Sequence, residues 1–367
     1  MGVIRTELGQ VLPAKEYAFV RELLEAYFYH KAGGSNNTGE TVKDAILVVQ
    51  DFIAYCGKAP WNLTEADFNR WCFHLGRERG ARPSTQRKYQ GAVHSFYSFL
   101  THDDVILTKL RMQFQVRPRQ IVHEENRIPH TVENEDSKVR ADVVKEDIDK
   151  IFDALDVEIR VAYHFRAKSL YPYMRDKALF YLIYSCGLRA SEALGLNTIS
   201  YMPNPEIPEF GEYGILVVYG KGCRGSGLRR REIIVDDPRV PILLDWYLKS
   251  ARPHFMHNCT IGEKALFLSQ RGRRLSLASL ESRFQILMRI ADVTELGYVP
   301  HCLRHSSVTE KIQTYTLEAT RRMHGHINGH TTQKYAHVPD KQVADEITRQ
   351  IRENIKLFES LKGKGGD

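Results

Sequence analysis

Residues 214–237 read GILVVYGKGCRGSGLRRREIIVDD. The flanks GILVVYG (214–220) and REIIVDD (231–237) are rich in β-branched residues. They enclose a glycine-rich, cationic loop, KGCRGSGLRR, so the stretch predicts a β-hairpin. Most of the remaining chain predicts helix. Tyr17, Val20, Leu24 and Tyr27 recur at helical spacing over 13–29, behind Pro13 at the helix start. Val42, Ile46, Val49 and Ile53 do the same over 40–56, with Gly57 and Pro60 marking the end. Thr64 is placed to cap a third helix, with Glu65 and Asp67 in its first turn. Ser84, after Pro83, starts a fourth, carrying Tyr89, Val93, Phe96, Tyr97 and Leu100 on one face. Helical patterns return over 144–156 and 174–196, and from about 275 onward. The fold class is mainly α with a small β-sheet, an α+β arrangement.

At 367 residues the chain is long enough for two domains. Residues 115–141 combine prolines, mixed charge and little apolar periodicity, which marks a linker. The expected organisation is a helical domain over 1–114, the linker over 115–141, a second domain over 142–341, and a carboxy-terminal helix and tail over 342–367. The formal charge of +7 favours a polyanionic partner where the cations cluster. Arg77, Arg79, Arg82, Arg87 and Lys88 do cluster, around the start of the fourth helix, as a solvated helix end or a phosphate-facing surface. The six cysteines form no C-x-x-C pair, which argues against structural zinc or a disulfide framework. The amino terminus lacks the apolar core of a secretory signal. The longest apolar run, ALFYLIYSCGL (178–188), is too short to span a bilayer, so a soluble, cytoplasmic protein is expected.

Four short stretches carry the candidate chemistry. YSCGLRASEALGL (184–196) places Arg189 after a glycine turn and Glu192 three residues on, on the same helical face. Lys221 stands at the hairpin tip. VPHCLRHSSVTEKI (299–312) contains His301-x-x-Arg304 followed by His305. HGHINGHTTQKYAHV (324–338) surrounds Tyr335 with histidines, and suits a metal site, a helix surface or a held nucleophile. Each is weak alone. The metal alternative is poorly served: His301 and His305 lack the adjacent glutamate of H-E-x-x-H, and no acidic cluster accompanies them.

Taken in order, GLRASEALGL, GKG, HCLRHS and GH-x8-Y resemble the tyrosine recombinase family of phage integrases, Xer-type recombinases and transposon integrases. Arg304 follows His301 by three residues, His326 follows Arg304 by 22, and Tyr335 follows His326 by nine. TTQKYAHV resembles the family's nucleophile segment, and the helical first domain looks like its core-binding domain. The resemblance implies that Arg189 and Arg304 clamp a phosphate, Tyr335 is the nucleophile, and His301, His326 and Lys221 complete the catalytic set. Glu192 falls on a supporting acidic position. Arg224 is a fallback for Lys221, and Arg229 and Arg230 join the first-domain cations as candidate DNA contacts. The chain departs from compact members in an insertion, NTISYMPNPEIPEFGEYG (197–214), and in its long hairpin loop.

The chemistry agrees with that set. Two guanidiniums can neutralise an anionic phosphodiester without a metal, and a phenol that titrates near ~10 needs a base or an electropositive site. The resemblance implies site-specific cleavage and rejoining of DNA through a 3′-phosphotyrosine, with no cofactor. It also implies a homotetramer on two duplex DNA sites that is monomeric or weakly associated without DNA. Accessory DNA-bending proteins, contact between protomers through the carboxy-terminal helix, and a place at the nucleoid of a prokaryotic cell belong to the same expectation. The rivals are type IB topoisomerase-like relaxation and DNA binding without catalysis.

Overall fold

The computed structural model describes residues 8–34, 39–129, 143–221, 228–294, 297–324 and 340–364. The described residues up to 129 form one compact unit and those from 143 another. The first unit holds α1 (Leu8–Val11), α2 (Ala14–Gly34), α3 (Gly39–Cys56), α4 (Glu65–Phe73), α5 (Pro83–His102) and α6 (Asp104–Phe114). Val20, Leu24 and Tyr27 of α2, Val42, Ile46, Val49 and Ile53 of α3, and Val93, Phe96, Tyr97 and Leu100 of α5 are all buried in its core. Thr64 caps α4: its hydroxyl accepts from the Asp67 N–H, and the Asp67 carboxylate accepts from the Thr64 N–H at 3.0 Å.

Two features of this unit differ from expectation. Helix α5 begins at Pro83, whose fixed φ suits the first helical position, so Arg82 takes the cap position and Ser84 lies inside the helix. Residues 115–129, expected in the linker, do not all run free. Ile121 and Val122 are buried in the core, and the N–H of Ile128 donates to the Gln90 side chain at 2.8 Å. Side chains of Gln90, Gln120 and Asn126 satisfy the backbone here, which is why so irregular a stretch can pack.

The second unit holds α7 (Lys145–His164), α8 (Leu170–Ser185), α9 (Ala190–Gly195), β1 (Tyr201–Met202), β2 (Ile215–Lys221), β3 (Leu228–Ile234) and α10 (Arg239–Trp246). It continues with α11 (Arg252–Met256), α12 (Leu277–Ile290), α13 (Pro300–Thr314), α14 (Leu317–His324) and α15 (Asp340–Lys364). Helix α8 is buried on nearly every side. The helical pattern over 174–196 is divided into α8 and α9 at the glycine turn expected before Arg189, where Gly187 takes φ 57, a left-handed conformation that glycine adopts without steric cost.

The sheet is antiparallel in the order β1-β2-β3, with Val218 opposite Arg231, Gly220 opposite Arg229 and Lys221 opposite Leu228. The hairpin is as expected, but its strands reach further into the loop. The third strand, β1, comes from the 197–214 insertion and pairs Tyr201 with Leu216. Two residues of strand carry no periodicity, so β1 has no sequence signature.

The carboxy-terminal helix α15, expected to seek a partner surface, uses much of its apolar stripe on its own unit. Val343, Ile347 and Ile351 are buried in the core, and Asn354 donates to the Asp236 carbonyl at 3.1 Å. Leu357 and Leu361, further along, remain 61 % exposed. No helix among the described residues is long and apolar enough to cross a membrane.

Ile351→Ala should therefore destabilise the protein by about 2–5 kcal/mol, the usual cost of emptying a buried aliphatic site. Urea denaturation of the protein without DNA measures it. An unchanged midpoint would mean that α15 contributes nothing to its own unit.

Candidate active site

The turn at Gly187 ends α8 and delivers Arg189 to the start of α9. One turn into α9, Glu192 is fully buried. Its carboxylate accepts from the Arg189 N–H at 2.8 Å and from Arg189 Nη1 at 2.8 Å. Strand β3 adds a second cation: Arg231 donates from Nη2 to Oε2 at 2.6 Å and from Nε to Oε1 at 3.3 Å. Helix α13 adds a third, with Arg304 Nη1 3.7 Å from Oε2 while it donates to the Gly187 carbonyl. Strand β2 passes so close that a Cβ at Gly220 would lie 2.8 Å from Glu192 Oε1, so any side chain there would displace the carboxylate.

Three guanidiniums thus surround one carboxylate. Their side chains are graded in exposure, 44 % for Arg189, 13 % for Arg231 and 4 % for Arg304. Burial pushes the Glu192 carboxyl up, but Arg231 and then Arg189 outweigh it and hold the group below its ordinary range. Burial, with repulsion from Arg189 and Arg231, pulls Arg304 down to about 10 against the pull of Glu192, so it keeps its charge at neutral pH. The cluster carries a surplus of positive charge, opened to solvent through Arg189. An oxyanion with several acceptor oxygens fits such a surplus.

His301 lies on the first turn of α13, three residues before Arg304 and on the same side of the helix. It is exposed, and its ring meets that of His305 edge-on at 4.5 Å. Lys221 ends β2, where its backbone pairs with Leu228; its side chain lies outside the described residues, as do Arg224, His326 and Tyr335. Arg229 and Arg230, expected in the loop, are on β3, and Arg230 faces outward in an ion pair with Glu232 at 2.7 Å. In the first unit Arg77 and Arg82 are exposed, Arg79 pairs with Asp51 at 2.9 Å and Lys88 with Asp44 at 3.6 Å, while Arg87 donates to the Pro129 carbonyl at 3.4 Å.

Arg231 is absent from the residues singled out in the sequence. Its signal is the period of the strand: Ile233 and Val235 point into the core, so Arg231, two residues earlier, points the same way. A glycine-rich loop full of arginines conceals that alternation.

Residues 145–342 match the sequence profile described as the phage integrase family, and residues 26–106 match that of the phage integrase N-terminal SAM-like domain. The chain belongs to the phage integrase family. Tyrosine recombinase XerC of Alcanivorax borkumensis is 32 % identical over 174 residues, 47 % of this chain and 50 % of that one. XerC of a Roseiflexus species is 25 % identical over 347 residues, 91 % of this chain and 94 % of that one. Among solved structures, XerH recombinase bound to a palindromic difH substrate in a post-cleavage complex shares the fold. Its TM-score is 0.53 at 18 % identity, over 84 % of this chain and 78 % of that one. A lambda integrase dimer on a COC′ core site gives 0.54 at 12 %, over 89 % and 76 %. The reaction of a tyrosine recombinase is site-specific cleavage and rejoining of DNA, and that is the class of enzyme to which this chain belongs.

If Glu192 holds the arginines in place, Glu192→Gln leaves three like charges without their anion and should lower stability by about 3 kcal/mol at pH 7, as breaking a buried ion pair does. Since the folded carboxyl titrates below its ordinary value near 4.5, its stabilisation is complete above that value and fades as the pH falls through the lower one. Urea denaturation from pH 7 to pH 3 should show the gap between wild type and Glu192→Gln closing on the acid side. A gap independent of pH would contradict the ionised carboxylate.

Proposed function

We propose that Tyr335 attacks a DNA phosphodiester held by Arg189 and Arg304, and that strand exchange between two duplexes follows. The observation that carries this reading is the surplus of positive charge around buried Glu192. It supplies two guanidiniums, Arg189 and Arg304, to a reaction in which charge builds on the non-bridging oxygens. The phenol oxygen bonds to phosphorus as its proton passes to His301. The 5′ oxygen leaves, taking a proton from Lys221, and His326 donates a hydrogen bond to the phosphate. The product is a 3′-phosphotyrosine and a free 5′ hydroxyl. The phosphoester bond is conserved, so a 5′ hydroxyl from another duplex reverses the step without ATP.

The substrate is duplex DNA carrying recombination sites, in keeping with the DNA complexes in which XerH and lambda integrase were solved. Arg77, Arg82 and their neighbours on the first unit, with Arg224, Arg229 and Arg230, are the proposed backbone contacts, and their effect should weaken with salt. Four protomers assemble on two sites, through the exposed end of α15 at Leu357 and Leu361, and do so in the cytoplasm where the DNA lies.

Tyr335→Phe should bind DNA as wild type does and form no covalent adduct on a nicked suicide substrate. Adduct of undiminished yield would remove Tyr335 from the role.

A further inference from the structure

Arg231 does more than neutralise Glu192. Its guanidinium lies between two elements: Nε and Nη2 face Glu192, and Nη1 donates to the carbonyl of Met323 at 3.3 Å. Met323 is in the last turn of α14, where carbonyls lack intrahelical partners and a cation is favourable. The chain continues from α14 to His326, three residues beyond Met323, and to Tyr335, twelve beyond. Arg231 itself sits on β3, opposite Val218 and three pairs from Lys221. One planar fork therefore joins the strand pair that bears Lys221, the carboxylate that holds Arg189, and the end of the helix that leads to the nucleophile.

We infer that Arg231 is a positioning residue for strand cleavage: it fixes the carboxy-terminal end of α14, and with it the approach of the nucleophile, to the arginine platform that holds the phosphate. The inference rests on the reading of Tyr335 and Arg189 given above. Arginine is required because two acceptors on opposite sides must be served at once. A lysine ammonium can satisfy Glu192, but as a compact charge on a flexible stem it does not present two edges in a fixed plane.

That difference separates positioning from simple charge pairing. A structural ion pair is restored by Arg231→Lys; a tether to α14 is not. With saturating nicked substrate, Arg231→Lys should keep the DNA affinity and thermal midpoint of wild type, yet form adduct about 10²-fold more slowly, the loss expected when a reacting group is misplaced by about 1 Å. Arg231→Gln, whose amide reaches only one side, is measured alongside it and should be at least as slow. Adduct formation at the wild-type rate by either variant would overturn the inference. So would a loss of rate in Arg231→Lys matched by a lowered midpoint or weakened binding, which would leave Arg231 as an ion-pair partner only. If wild type itself forms no adduct, the failure belongs to the proposed reaction instead.

Discussion

A carboxylate taken out of water must be matched by cations or lose its charge, and Glu192 is matched by three. That requirement organises the second unit. Arg189 reaches Glu192 from one turn away, Arg231 from the sheet and Arg304 from α13, so three segments far apart in sequence meet at one pair of oxygens. The arrangement overcompensates, and the excess charge is what a phosphodiester can use. Glu192 holds together guanidiniums that would otherwise repel one another.

The fold serves this meeting at particular points. Gly187 turns the chain so that Arg189 begins a new helix, and its carbonyl also accepts from Arg304. Gly220 lets β2 pass beside the carboxylate. At the carboxy-terminal end of α13, Lys311 pairs with buried Asp236 at 2.7 Å, and the Tyr315 hydroxyl donates to the same carboxylate at 3.0 Å. The helix that presents His301 and Arg304 is thus anchored at both ends. Packing α15 onto this unit, with Asn354 donating to the Asp236 carbonyl, ties the carboxy terminus into the same frame.

Much of this was legible in the sequence, and for physical reasons. Long helices with full apolar stripes, such as α3, advertise their buried face in every turn. The hairpin declared itself through β-branched residues, and Arg189, Glu192, His301 and Arg304 through spacing that resembles a known family. What stayed hidden depended on contacts between distant segments. Arg231 looks like one more cation in a basic loop until β3 is paired with β2. The short strand β1 has too few residues for a period, and Ile121 and Val122 are too few apolar residues to mark a segment as packed.

As proposed, these arginines act by neutralising the charge of the scissile phosphate. Replacing one non-bridging oxygen of that phosphate with a methyl group removes its negative charge while leaving the attacked centre and the leaving group in place. Arg189→Ala should form covalent adduct far more slowly than wild type on ordinary DNA, by about 10²–10³-fold if the guanidinium matters as an oxyanion-stabilising donor does. On methylphosphonate DNA the rates of wild type and Arg189→Ala should draw together. If Arg189→Ala remains as impaired on the neutral substrate as on the charged one, the platform around Glu192 does something other than neutralise the phosphate.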